Sequence, residues 1–132
     1  MDKGIVTLTG IKLDPRSGIP LYKQILNQFQ LLILSPDVQT GSRLPSANET
    51  ASFLCVNQKS VLKAYLYLIE SGWAHATDNE SGSPIIVSKE LISLEQRLSL
   101  IKPQVEDLIK TFKKMGIETA EIINLIKNNP NY

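Results

Sequence analysis

The sequence has little of what catalytic and metal-binding proteins usually contain. Its 132 residues include one cysteine and one histidine, too few for an internal disulfide or for a zinc site built from several cysteines and histidines. No C-x-x-C, H-x-x-x-H, glycine-rich phosphate loop or nucleophile elbow occurs in the chain. These absences argue against an enzyme, a bound metal and a cofactor.

Neither sign of charge predominates, and long apolar runs are missing. Lysine and arginine total 14, aspartate and glutamate total 13, and the net charge is +1, so attraction to a polyanion would need a local cluster of cations. No apolar stretch approaches the roughly 20 residues that cross a bilayer, and no export signal opens the chain. We expect a cytoplasmic protein without a membrane partner, folded around one core with an appendage.

The segment from residue 43 to residue 72 has the pattern of two short helices joined by a tight turn. Ser46 and Glu49 have the spacing of a capping box, which predicts that a helix begins after Ser46. Asn57 can cap a second helix, in which apolar residues recur at helical spacing at Val61, Ala64, Tyr65, Leu68 and Ile69. The pattern predicts a helix-turn-helix, with Cys55 as a buried structural thiol in the turn.

Before and after this segment, the sequence predicts a long helix and a hairpin. Pro20 suits the first position of a helix that ends near Ser35, with one apolar face formed by Leu21, Ile25, Phe29 and Leu32. Two apolar runs around the polar residues 78–83 predict a β-hairpin.

The last part of the chain has a heptad pattern of apolar residues. Spacings alternating between three and four residues define a stripe, here called the seam, at Leu91, Leu94, Leu98, Ile101, Val105, Leu108, Phe112 and Met115. Pro103 is expected to kink or split this helix, Gly116 to end it, and a short final helix to follow. The seam could pack inside the chain, but we favour a homodimer interface formed by Leu91 to Phe112.

Three motifs in this order resemble the winged-helix domain of the GntR family of bacterial transcription regulators. They are Pro20-Leu21-Tyr22-x-Gln24-Ile25, then Gly41-x-Arg43-Leu44-Pro45-Ser46, then Val61-x-x-Ala64-Tyr65-x-x-Leu68 with Gly72. The short helical tail is most similar to the small YtrA subfamily. The resemblance implies a mainly α fold with an N-terminal arm (1–19), a winged helix-turn-helix domain (20–88) and a two-helix dimerisation segment (89–132). Within the winged domain it implies a short strand at Arg43 and Leu44 that pairs with the hairpin, which is the wing of this family.

The resemblance also implies a function, that of a homodimeric repressor that binds specific sequences of double-stranded DNA. It leaves open whether a small-molecule effector exists and identifies none. The residues that it places at the DNA are Arg43, Ser46, Asn48, Asn57, Gln58, Lys59, Ser60 and Lys63. The chain departs from the family by lacking arginine at Asn48, Gln58 and Leu62, and by carrying Asp78 and Glu80 at the wing tip. Leu62 either contacts a thymine methyl or marks a surface that does not touch DNA. The alternative is therefore a divergent winged-helix module that binds another protein.

Overall fold

A computed structural model describes residues 4–77, 84–89 and 92–132. Helices predominate, and the mainly α fold class expected from the sequence is confirmed. The elements in chain order are α1 (Leu21–Leu34), α2 (Ala47–Leu54), α3 (Gln58–Glu70), β1 (Ala74–Ala76), β2 (Ile85–Val87), α4 (Leu94–Lys114) and α5 (Thr119–Lys127). The chain forms two compact units, Met1–Ser93 and Leu94–Tyr132. In the ranges just given, no helix is both long and apolar enough to cross a membrane.

The core of the first unit lies between α1, α2 and α3. Helix α1 begins at Leu21, one residue later than predicted, because Pro20 has an extended ψ of 140° and occupies the N-cap position. Its buried stripe is formed by Ile25, Phe29 and Ile33, spaced four residues apart as an amphipathic helix requires. This stripe packs against α3 and fixes the orientation of that helix.

The hairpin and a short segment before α2 form the sheet of the winged domain. Strands β1 and β2 are antiparallel, with His75 opposite Ile86, so the predicted hairpin is confirmed; its turn, residues 78–83, lies outside the described residues. The amide of Leu44 donates to the carbonyl of Ile85 at 2.9 Å, and Arg43 forms an antiparallel bridge to Ile86. The predicted pairing of this segment with the wing is therefore present.

The N-terminal arm is part of the same sheet, which the sequence analysis missed. Ile5 forms a parallel bridge to Arg43, and the amide of Val6 donates to the carbonyl of Arg43 at 2.8 Å. Val6 and Leu8 are 4% and 8% exposed. They alternate with Thr7 as in a half-buried strand, and this period-two pattern was the available signal.

A glutamine in the first turns of α1 holds the turn that precedes the helix. The Nε2 of Gln24 donates to the carbonyls of Asp14 and Ile19 and to the Oγ of Ser17, at 3.0, 2.9 and 3.1 Å. The amide of Asp14 donates back to the Oε1 of Gln24 at 2.7 Å. This network fixes the start of α1, where Tyr22 lies.

In the second unit, α4 runs through Pro103 without interruption, so the part of the prediction that allowed the helix to be split there is wrong. The helix ends as predicted at Gly116, whose φ is 73°. Amides of Gly116 and Ile117 donate to the carbonyls of Lys113 and Phe112, which is a Schellman motif. The expected final helix is α5.

Candidate nucleic-acid interface

Helix α2 begins with the predicted capping box. The amide of Glu49 donates to the Oγ of Ser46 at 3.1 Å, and the amide of Ser46 donates to a carboxylate oxygen of Glu49 at 3.4 Å. These bonds satisfy two amides at the helix start. Ser46 and Asn48 are both exposed there.

The turn between α2 and α3 is fixed by a left-handed residue and a second cap. Cys55 has φ 58° and ψ 45°, and the amide of Val56 donates to the carbonyl of Ala51 at 3.0 Å, as in a Schellman motif. The thiol of Cys55 is exposed, so its predicted burial is wrong, because this backbone position directs the side chain away from the core. Asn57 caps α3 by accepting from the amide of Ser60 at 2.8 Å.

A buried hydroxyl network connects α2 to α3. The hydroxyl of Tyr65 donates to the carbonyl of Pro45 at 2.8 Å and lies 2.7 Å from the Oγ1 of Thr50. Tyr65 is 2% exposed, and its ring meets Phe29 of α1 edge to face at 5.3 Å. Burial raises the pKa of Tyr65 well above its usual value, the bond to Thr50 opposes this rise, and the charge of Glu49 adds to it.

The opposite face of α3 is exposed and carries the predicted DNA-contacting residues of this helix. Gln58, Lys59 and Lys63 are all exposed, whereas Ser60 is half-buried beside its cap. Leu62 and Leu66 lie on the same face at 50% and 54% exposure. The first two turns of α3 therefore present an amide, two ammonium groups and one leucine to a partner.

Lys63 makes a contact that the sequence analysis missed. Its Nζ lies 4.0 Å from the centroid of the Tyr22 ring, and that ring stacks on Tyr67 with a centroid distance of 5.7 Å and an interplanar angle of 15°. The three residues come from α1 and α3. Only the packing of α1 on α3 brings them together, and no local pattern in the sequence predicts it.

Arg43 lies in the sheet and not on a helix of the helix-turn-helix. Its backbone is paired on one side with Ile5 and on the other with Ile86, and its side chain is half-buried. The acidic positions of the wing, Asp78 and Glu80, lie outside the described residues. His75 of β1 is exposed.

The seam forms a second surface, on α4. Leu91 lies outside the described residues. Five of the other predicted interface residues are exposed in the single chain: Leu94 at 69%, Leu98 at 53%, Ile101 at 45%, Val105 at 44% and Leu108 at 49%. Phe112 is only 6% exposed, so a single chain already covers it, and the continuous exposed part of the seam runs from Leu94 to Leu108.

Comparison with known proteins agrees with this geometry. The chain is 32% identical over 117 residues to the HTH-type transcriptional repressor YtrA of Bacillus subtilis, an alignment that covers 89% of each protein. It also resembles the structure of YtrA from Sulfolobus acidocaldarius, described as a GntR-family transcription factor, with 34% identity and a TM-score of 0.55 over 72% of this chain and 97% of that one. The chain belongs to the GntR family of transcription regulators.

Another GntR structure covers more of the chain. A GntR family transcriptional regulator from Listeria monocytogenes matches 89% of this chain and 99% of its own length, with a TM-score of 0.66 and 26% identity. No protein-family model matches the sequence. As a member of the GntR family, the chain is a DNA-binding transcription regulator and not an enzyme.

Proposed function

We propose that the chain is a cytoplasmic homodimeric repressor that reads double-stranded DNA with the exposed face of α3. The observation that carries this proposal is the outward position of Gln58, Lys59 and Lys63 at the start of a helix whose other face is buried. In helix-turn-helix proteins, these first turns of the second helix enter the major groove.

The side chains of this face suit both contact with phosphates and reading of base edges. Lys59 and Lys63 neutralise phosphates, and the amide of Gln58 can make a bidentate pair with adenine. Ser46, Asn48 and Asn57 lie at the starts of α2 and α3, where exposed polar groups can reach the backbone of the duplex. In this proposal Arg43 holds a phosphate from the sheet side, and Ser60 lies beside the DNA.

The exposed seam supports the homodimer. Leu94 to Leu108 would lose their contact with water when two copies of α4 pair, and a two-fold axis would place two copies of α3 on successive major grooves of a palindromic site. Repression then follows from occlusion of a promoter. An effector that changes the angle between the paired α4 helices would change the spacing of the two α3 helices and release the DNA.

Salt dependence tests the DNA contact. We would select a duplex from a random-sequence pool with the full chain and measure its dissociation constant against salt concentration. In a homodimer, Lys59→Ala removes one phosphate contact from each protomer, so the slope of log K against log salt should flatten by about 1.8. The matched control is Lys110→Ala, which removes an exposed lysine of α4 and should leave the slope unchanged. Failure to enrich any duplex, or equal slopes for Lys59→Ala and its control, would refute the proposal.

A further inference from the structure

We infer that Tyr22, whose ring also stacks on Tyr67, is a positioning residue that holds the ammonium group of Lys63 ready for a DNA phosphate. This inference rests on the proposed contact between Lys63 and DNA. The ring of Tyr22 on α1 stacks on Tyr67 of α3, and the Nζ of Lys63, also on α3, lies over the same ring at 4.0 Å from its centroid.

The physical basis is the freedom of a lysine side chain. Four rotatable bonds let an exposed lysine occupy many positions, and binding a phosphate with it must remove that freedom. A cation over the face of a tyrosine is attracted by the ring quadrupole. Lys63 is an exposed residue. Its ammonium has three donors, so it can donate to a phosphate while it stays over Tyr22.

The positions of Tyr22 and Tyr67 are fixed by the helices on which they lie. Tyr22 lies between Pro20, which occupies the N-cap position of α1, and Gln24, whose amide binds the preceding turn. Tyr67 lies on α3, whose orientation is fixed by its buried face. The position of the Tyr22 ring is therefore fixed. Tyr22 belongs to the Pro20-Leu21-Tyr22 motif at the start of α1, far in sequence from α3.

The test uses two substitutions at one position. Tyr22→Phe keeps the aromatic face and should leave DNA affinity unchanged, whereas Tyr22→Leu keeps apolar volume but removes the face and should weaken binding about two- to five-fold per protomer. The slope of affinity against salt should be the same in both variants, because Lys63 still neutralises its phosphate. Lys63→Ala should weaken binding and also flatten the slope.

A double variant separates positioning from folding. If Tyr22 acts through Lys63, then Tyr22→Leu should have no further effect on affinity when Lys63 is already alanine. An equal loss in both backgrounds would overturn the inference, as would a loss in Tyr22→Phe, which would assign the effect to the hydroxyl. Tighter DNA binding by Tyr22→Leu would also overturn the inference, because the ring of Tyr22 would then compete with the DNA phosphate for the ammonium group of Lys63. If Lys63→Ala itself binds like the parent protein, the proposed DNA contact of Lys63 fails instead.

Discussion

The buried hydroxyl of Tyr65 should contribute measurably to the stability of the helix-turn-helix. Tyr65→Phe removes the bond to the carbonyl of Pro45 at 2.8 Å and the contact with Thr50 at 2.7 Å. Thr50 is fully buried, but its hydroxyl can turn to a carbonyl one helical turn back, as threonine often does. One buried carbonyl is then left without a partner, which costs about 1–3 kcal/mol.

The same hydroxyl predicts how stability depends on pH. Burial raises the pKa of Tyr65 in the folded protein above its ordinary value of 10.0. Above that pH the unfolded chain loses the proton while the folded chain keeps it, so the folded state binds more protons and the free energy of unfolding falls as the pH rises. The stability that Tyr65 contributes is complete below pH 10 and decreases above it by about 1.4 kcal/mol per pH unit.

Urea unfolding at pH 8 and pH 11, in the presence of a reductant, measures both effects. Tyr65→Phe should be less stable than the parent protein by about 2 kcal/mol at pH 8, and the difference should shrink at pH 11. Tyr67→Phe is the matched control, because it removes a hydroxyl from a tyrosine that is 39% exposed and keeps the ring that stacks on Tyr22. Equal stabilities of Tyr65→Phe and Tyr67→Phe, or a pH-independent difference, would refute the reasoning.

Three further substitutions test other parts of the account. Leu98→Ala should weaken the proposed dimer about 10- to 100-fold in sedimentation, because the burial of a half-exposed leucine is lost twice across a two-fold axis. The control is Leu66→Ala, since Leu66 is 54% exposed and Leu98 is 53% exposed; it should leave the oligomeric state unchanged. Equal effects of the two substitutions would contradict the proposed interface. Leu62→Arg should steepen the salt dependence of DNA binding by about 0.9 per protomer, and an unchanged slope would show that this position does not approach phosphates. Cys55→Gly should stabilise the fold by roughly 0.5–1 kcal/mol in thermal or urea unfolding. Glycine adopts the positive φ of this position without strain, and this gain exceeds the larger backbone entropy that glycine loses on folding. A loss of stability would contradict this reasoning.

The features that were predicted correctly from the sequence are those that depend on residues close together in the chain. The caps at Ser46 and Asn57, the buried stripe of α3 and the hairpin each depend on residue types a few positions apart, and all are present. Gly116 ends α4 for the same kind of local reason. These features sufficed to identify the fold class and the exposed face of α3.

Contacts between distant segments could not be predicted in this way. The pairing of Ile5 with Arg43 and the stack of Tyr22, Tyr67 and Lys63 exist only because α1, α3 and the arm pack together. The exposure of Cys55 depends on the direction of its side chain at a left-handed position. Cysteine is among the residue types that are most often buried, and the prediction that Cys55 is buried followed this general preference and was wrong.

Sequence-specific reading of DNA by α3 is the central claim, and selection from a random duplex pool tests it most directly. The parent protein should enrich a motif of two symmetric half-sites, and Gln58→Ala should relax the preference at one base pair in each half-site while leaving the remaining positions as they were. Enrichment of the same motif with the same base preferences by both proteins would contradict the claim that Gln58 reads a base edge, and no enrichment by the parent protein would contradict the claim as a whole.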